Sequence, residues 1–233
     1  MSIRDMKGQV EDKIPVKNVL VSVFDKSGLE YFIPGLLKAN PDVRFMSTGG
    51  TYGRLKEILG DAAGEHLMEV AEYTEFPEME GGLVKTLHPK IHAGLLGERG
   101  NPEHRRYLAE ELNGGVYIDM VVVNLYPFEQ VIAKEGTTFE TARGNIDIGG
   151  PTMIRAGAKN FPSCAVVCDP RDYEYVMREI EENNGCTTFE LRLGLAQGVF
   201  DATATYDRAI AEHMKSRIHL DLEGVMACYD LKK

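Results

Sequence analysis

The sequence has no apolar run approaching the roughly 18 residues that a membrane-spanning helix needs, which excludes a span. The first 17 residues are polar and mixed in charge. They contain no apolar stretch of the secretory type, so a cytoplasmic protein is expected. Basic residues are in deficit: Lys plus Arg is 26 against 36 Asp plus Glu, a formal charge of -10. That balance argues against nucleic acid as a partner. It leaves room for a small phosphorylated ligand, because a few lysines and a helix N-terminus suffice for one anion. Cysteine is scarce. Cys164, Cys168, Cys186 and Cys228 form no Cys-x-x-Cys pair. Cys164 and Cys168 lie in an apolar run where they would sit about 13 Å apart on one face, beyond disulfide reach. All four read as buried free thiols of a reducing compartment. Walker A, dinucleotide-fingerprint and Gly-x-Ser-x-Gly patterns are missing, as are repeats and low-complexity segments.

What is present is enough for a full core: 233 residues, 43% hydrophobic and 27% charged. Apolar, β-branched runs at 18–23, 43–46, 120–124 and 164–168 read as buried parallel strands, with a weaker one at 67–70. Helical segments follow at 29–37, where Pro34 is a flaw, and at 52–59, 102–112 and 139–145. Another runs from Pro151 to about 159, with proline in its first turn. Two more, near 172–183 and 188–215, close the chain. The alternation predicts an α/β protein with a parallel β-sheet flanked by helices and a C-terminal helical extension. The stretch 74–100 is rich in Gly and Pro with little period, and such segments are more often functional than idle.

Ser47-Thr-Gly-Gly-Thr51 lies between a strand and a helix start. Its glycines and hydroxyls suit a phosphate, though a plain tight turn has the same composition. Ser22 and Lys26 follow the first strand, and Asn124 and Tyr126 follow the valine-rich one. Ligands of parallel α/β sheets bind at the carboxyl ends of strands. Lys85 and Thr86 fall in the irregular stretch. Asp147 and Lys159 are twelve residues apart with a helix between them, so they cannot touch unless the chain turns back. His88 and His92 have the spacing of a zinc helix. Pro89, however, takes His88 out of helical conformation, and no metal site is expected.

Eight motifs in order carry a resemblance. They are Ser22-Val-Phe-Asp-Lys-Ser-Gly28, Ser47-Thr-Gly-Gly-Thr51, Phe76-Pro-Glu-Met79, Gly82-Leu-Val-Lys-Thr-Leu-His-Pro89, His92-Ala-Gly94, Asn124-Leu-Tyr-Pro-Phe128, Ile146-Asp-Ile-Gly-Gly150 and Arg155-Ala-Gly-Ala-Lys-Asn160. Together they resemble the inosine monophosphate (IMP) cyclohydrolase domain of bifunctional purine-biosynthesis proteins, over residues 17–217.

The resemblance implies a methylglyoxal-synthase-like fold over 18–217, with an N-terminal arm at 1–17 and a tail at 218–233. It implies dehydrative closure of 5-formamidoimidazole-4-carboxamide ribotide (FAICAR) to IMP, without metal or organic cofactor. Carried over by motif, Lys85, Tyr126, Asp147, Lys159 and Asn124 are the expected catalytic residues. Ser22, Lys26, Ser47, Thr48, Gly49, Gly50, Thr51, Thr86 and Gly149 are the expected substrate contacts. A homodimer is implied, and a stand-alone cyclohydrolase would depend on a separate aminoimidazole carboxamide ribonucleotide (AICAR) formyltransferase. The competing class is a non-catalytic nucleotide-binding regulatory module of the same fold. Two departures stand out. Leu83 replaces a frequent arginine, and Gly157 replaces a usual alanine inside a helix, at an expected cost of about 1 kcal/mol.

Overall fold

Five parallel strands form the centre of the molecule, and their order decides where a ligand can sit. The computed structural model describes residues 9–77, 79 and 84–231; Leu83 lies outside them. In chain order the strands are β1 (Ile14–Pro15), β2 (Asn18–Val21), β3 (Arg44–Ser47), β4 (Leu67–Glu69), β5 (Met120–Val122), β6 (Ala165–Val167) and β7 (Cys186–Thr187). The main sheet runs β4-β3-β2-β5-β6, with every pair parallel. After β2 the chain winds outward through β3 and β4. It then returns to lay β5 on the other flank of β2. The switch point between β2 and β5 is where open α/β sheets form a crevice at their carboxyl ends.

The helices are α1 (Leu29–Ala39), α2 (Gly49–Leu59), α3 (Ala63–His66), α4 (Val70–Thr74), α5 (Pro89–Leu96), α6 (Pro102–Arg106), α7 (Phe128–Ile132), α8 (Phe139–Gly144), α9 (Gly149–Lys159), α10 (Tyr173–Glu182), α11 (Phe189–Leu220) and α12 (Leu222–Ala227). The chain continues from α6 through Tyr107–Glu111 in π-helical geometry. Pro34 is accommodated inside α1. Side chains alternate across the strands. Val19, Val21 and Phe45 pack with α1, α2 and α10 on one face. Leu20, Met46 and Val121 pack with α5, α9 and α11 on the other. Burial on both faces is why the strands read as near-continuous apolar runs.

The structure adds two features that the sequence reading did not include and corrects a third. The 74–100 stretch contains a helix, α5, with Pro89 in its first turn. His88 is extended and caps the helix, its ring accepting the Lys90 N–H at 3.1 Å. His88 is out of helical conformation, as Pro89 requires; what the sequence reading did not include is a helix that begins at Pro89, which suits the first helical position. Within the N-terminal arm, residues 14–16 are tied to the β7 corner. β1 pairs antiparallel with β7, and the fully buried Arg192 holds this corner through the carbonyls of Glu11, Asp12, Phe161 and Thr187. Of the four free thiols only Cys164 is buried; Cys168, Cys186 and Cys228 are half-buried.

Gly157 carries a correction of sign. A Cβ there would lie 2.6 Å from Val166 Cγ2 and 3.3 Å from Cys164 Sγ. The bare backbone lets α9 lie close against β6, so the glycine is a packing requirement and not simply a lost helix former.

Candidate active site

At the carboxyl end of the sheet a cleft of about 600 Å³ opens over the β2–β5 switch point. Five segments reach it: the turn after β2, the start of α2, Lys85 with Thr86, the turn after β5, and the loop entering α9. Each follows from local chemistry. Apolar runs end β2 and β5 inside the core, and their polar continuations emerge together. Gly49, at φ 51, makes the turn from β3 into α2 in a conformation that side chains resist. The Thr48 side chain makes no capping bond to that helix start. Gly49 and Gly50 of its first turn line the cleft, and the dipole at a helix start favours an anion.

Two lysines stand at this end. The Lys26 ammonium donates to the Phe24 carbonyl at 3.3 Å. The Lys85 ammonium lies 3.9 Å from the point where a side chain on Gly49 would begin, so it sits over the start of α2. Ser22, Thr48 and Gly50 line the same wall. Thr86 is buried, with Oγ1 3.0 Å from the corresponding point on Gly149. The His92 ring bonds the Thr86 backbone, while burial pushes its imidazole below the ordinary range. His92 thus links α5 to the segment that carries Lys85 and Thr86.

Asp147 lines the same cleft, half-buried. Its Oδ1 accepts the Gly150 N–H at 2.9 Å and so caps α9. Burial pushes its carboxyl above the ordinary value of 3.8, against the pull of the Gly150, Tyr126 and Gly149 backbone donors. A carboxyl raised toward neutrality beside a cleft is suited to proton transfer. Tyr126 is 47% exposed and packs edge-on against Phe24, with ring centroids 5.4 Å apart.

Four expected residues are employed differently. The Ser47 hydroxyl is fully buried and donates to the Val21 carbonyl at 2.7 Å. It faces the sheet, and Ser47 is not among the described residues that line the cleft. Thr51 Oγ1 donates to the Val23 carbonyl at 3.0 Å and accepts the Val23 N–H at 3.1 Å. Its hydroxyl ties α2 to the end of β2. Asn124 Oδ1 accepts the N–H groups of Phe24 and Asp25, and Nδ2 donates to the Asp25 carbonyl. Its carboxamide builds the wall of the cleft. Lys159 is exposed at the far end of α9. At 1.5 Å per residue it stands about 15 Å from the start of α9, beside which Asp147 lies. The fold of one chain does not bring it to the cleft.

One contributor was missed. The Asp147 N–H donates to the Tyr206 hydroxyl of α11 at 2.8 Å. A trace of it exists in the sequence. Arg192, Ala196, Val199 and Thr203 are buried on α11 at alternating spacings of four and three, and Tyr206 continues that stripe.

A second cavity of about 630 Å³ lies at the amino end of the sheet. There Asp119 accepts the N–H groups of Lys17 and Asn18 and pairs with Arg99. These contacts anchor the start of β2. No helix among the described residues is long and apolar enough to cross a membrane.

Residues 29–152 match the family model described as the MGS-like domain, and residues 157–231 match the one described as AICARFT/IMPCHase bienzyme. Among curated proteins, the bifunctional purine biosynthesis protein PurH of Magnetococcus marinus is 49% identical over 209 residues, 90% of this chain and 37% of that protein. PurH of Rhodospirillum rubrum is 48% identical over 206 residues, 88% of this chain and 37% of that protein. The chain thus spans a little over a third of the length of these relatives. A solved structure described as the crystal structure of ForH aligns with a TM-score of 0.69 at 32% identity, covering 84% of this chain and 97% of that one.

Proposed function

The chain belongs to the MGS-like domain family, with purine-biosynthesis PurH proteins among its relatives, and on that premise we propose that it is an IMP cyclohydrolase acting on FAICAR. The observation that carries the reading is one cleft lined by the first turn of α2, the Lys85 ammonium and the raised Asp147 carboxyl.

FAICAR carries both reacting groups, so its closure is already unimolecular. The first task is to hold the carboxamide and formyl groups in one near-attack rotamer. In this proposal the ribose 5-phosphate rests on the N-terminus of α2, beside Ser22, Thr48 and Lys26. The base then points toward Lys85, Tyr126 and Asp147. The carboxamide nitrogen forms a bond to the formyl carbon, and the carbonyl π pair moves onto the formyl oxygen. Lys85 stabilises that oxygen as charge builds. Asp147 takes one proton from the attacking nitrogen and returns it to the oxygen. The oxygen leaves as water with a second proton, which comes from the formamide nitrogen by way of Tyr126. A preorganised donor at the oxyanion is the largest single contribution expected.

The test is an absorbance assay with FAICAR and the purified chain, following formation of IMP. Turnover at a rate well above the spontaneous reaction supports the reading. IMP binding without turnover would transfer the case to the non-catalytic nucleotide-binding module.

A further inference from the structure

We propose that Tyr206, on the C-terminal helix α11, is a positioning residue for Asp147. The inference rests on the cyclohydrolase reading above and deepens it. The Asp147 N–H donates to the Tyr206 hydroxyl at 2.8 Å across 59 residues of sequence. That contact fixes the backbone at the point where the chain turns into α9. The same residue's carboxylate bonds the Gly150 N–H three residues on. Asp147 is thus held from both sides: its backbone by α11, its side chain by the first turn of α9.

Tyr206 is itself fixed. Its ring packs edge-on against Phe128, centroids 6.3 Å apart, and Phe128 is buried. One turn earlier on the same stripe, Thr203 is buried and accepts from Arg155 of α9. Helix α11 therefore grips α9 along its length and at its entry. Local sequence does not supply this restraint. Ile148, between Asp147 and the helix, is 58% exposed and packs little. Without the phenol oxygen, the Asp147 N–H would need another acceptor, and the turn would be free to rotate the carboxyl within the cleft that it lines.

There is an organisational consequence. Asp147 lies in the segment that matches the MGS-like domain, and Tyr206 lies in the segment that matches the bienzyme description. The second segment sets the geometry of a proton-transfer group in the first.

The experiment compares wild type, Tyr206→Phe, Asp147→Asn and the double variant. Tyr206→Phe keeps the ring and removes only the oxygen. Its kcat for FAICAR should fall about tenfold, with KM and IMP affinity nearly unchanged and the melting temperature lowered by only a few degrees, as for one lost hydrogen bond. In the Asp147→Asn background it should cause no further loss, since its effect passes through that carboxyl. An unchanged kcat, or losses that multiply in the double variant, would overturn the proposal. A second readout needs no turnover. Amide exchange at Asp147 should quicken at least several-fold in Tyr206→Phe while Ala158, inside α9, stays as it was; equal exchange at Asp147 would also overturn it. A wild-type chain that does not close FAICAR refutes the cyclohydrolase reading instead, and the exchange measurement still decides whether Tyr206 holds Asp147.

Discussion

The side-chain amide of Asn124 holds both backbone polar groups of Asp25: Oδ1 accepts the Asp25 N–H at 2.9 Å and Nδ2 donates to the Asp25 carbonyl at 2.8 Å. The contact joins the turns that leave β2 and β5, across the switch point of the sheet. It makes one wall of the cleft from two segments about 100 residues apart. Asn124→Ala should lower stability by about 1–3 kcal/mol for the lost bonds. It should also raise KM, because Ser22 and Lys26 lose their support. Urea denaturation and steady-state kinetics check both; a pure kcat effect would return Asn124 to the chemistry.

The hydroxyls of the cleft separate into two classes. Ser47→Ala removes a buried bond to Val21 and should lower stability by about 1 kcal/mol, leaving KM unchanged. Ser22→Ala and Thr48→Val should raise KM about tenfold with little effect on melting. Phosphate contacts are alike in ground and transition states, so kcat should hold. Kinetics and melting curves on the three variants distinguish the classes.

Lys85→Ala should lower kcat by about 10²–10³, the usual loss for one oxyanion donor. Its effect on IMP affinity should be far smaller. A comparable loss in IMP affinity would mean that Lys85 serves the phosphate and not the reacting oxygen.

Burial raises the Asp147 carboxyl above 3.8. A raised carboxyl contributes stability that is fully present below the unfolded value and is lost as pH rises through the folded one. The ionised group is therefore a strain on the fold at neutral pH. Asp147→Asn should melt higher relative to wild type at pH 7 than at pH 3.5, while kcat collapses. Melting curves across that range test the sign. A gap that widens toward acid would show the carboxylate to be stabilising.

Gly157→Ala is expected from helix propensity to stabilise by about 1 kcal/mol. The 2.6 Å approach to Val166 Cγ2 reverses that expectation. The variant should gain nothing and melt lower, as α9 is pushed off β6. A higher melting temperature would show that the helix shifts freely.

The sequence by itself determined the layers and the end of the sheet where chemistry lies. Runs such as Met120-Val-Val-Val are apolar on both sides, and only a sheet covered on both faces buries them. The polar turns that follow had to emerge together at the carboxyl edge. Helix geometry also set Asp147 and Lys159 at opposite ends of α9; it was the family resemblance that assigned both to one site. Only the tertiary structure decided which polar groups remain for a ligand. Ser47, Thr51 and Asn124 satisfy backbone groups far away in the chain, and that use leaves no local signature. The same holds for Tyr206. Its partner is 59 residues distant, and a stripe of buried positions on a long helix marks what packs, not what the packed residue touches. Strand order was the last such decision. Composition fixes that strands are buried, but the order β4-β3-β2-β5-β6 is what puts Lys85, the start of α2 and Asp147 around one crevice.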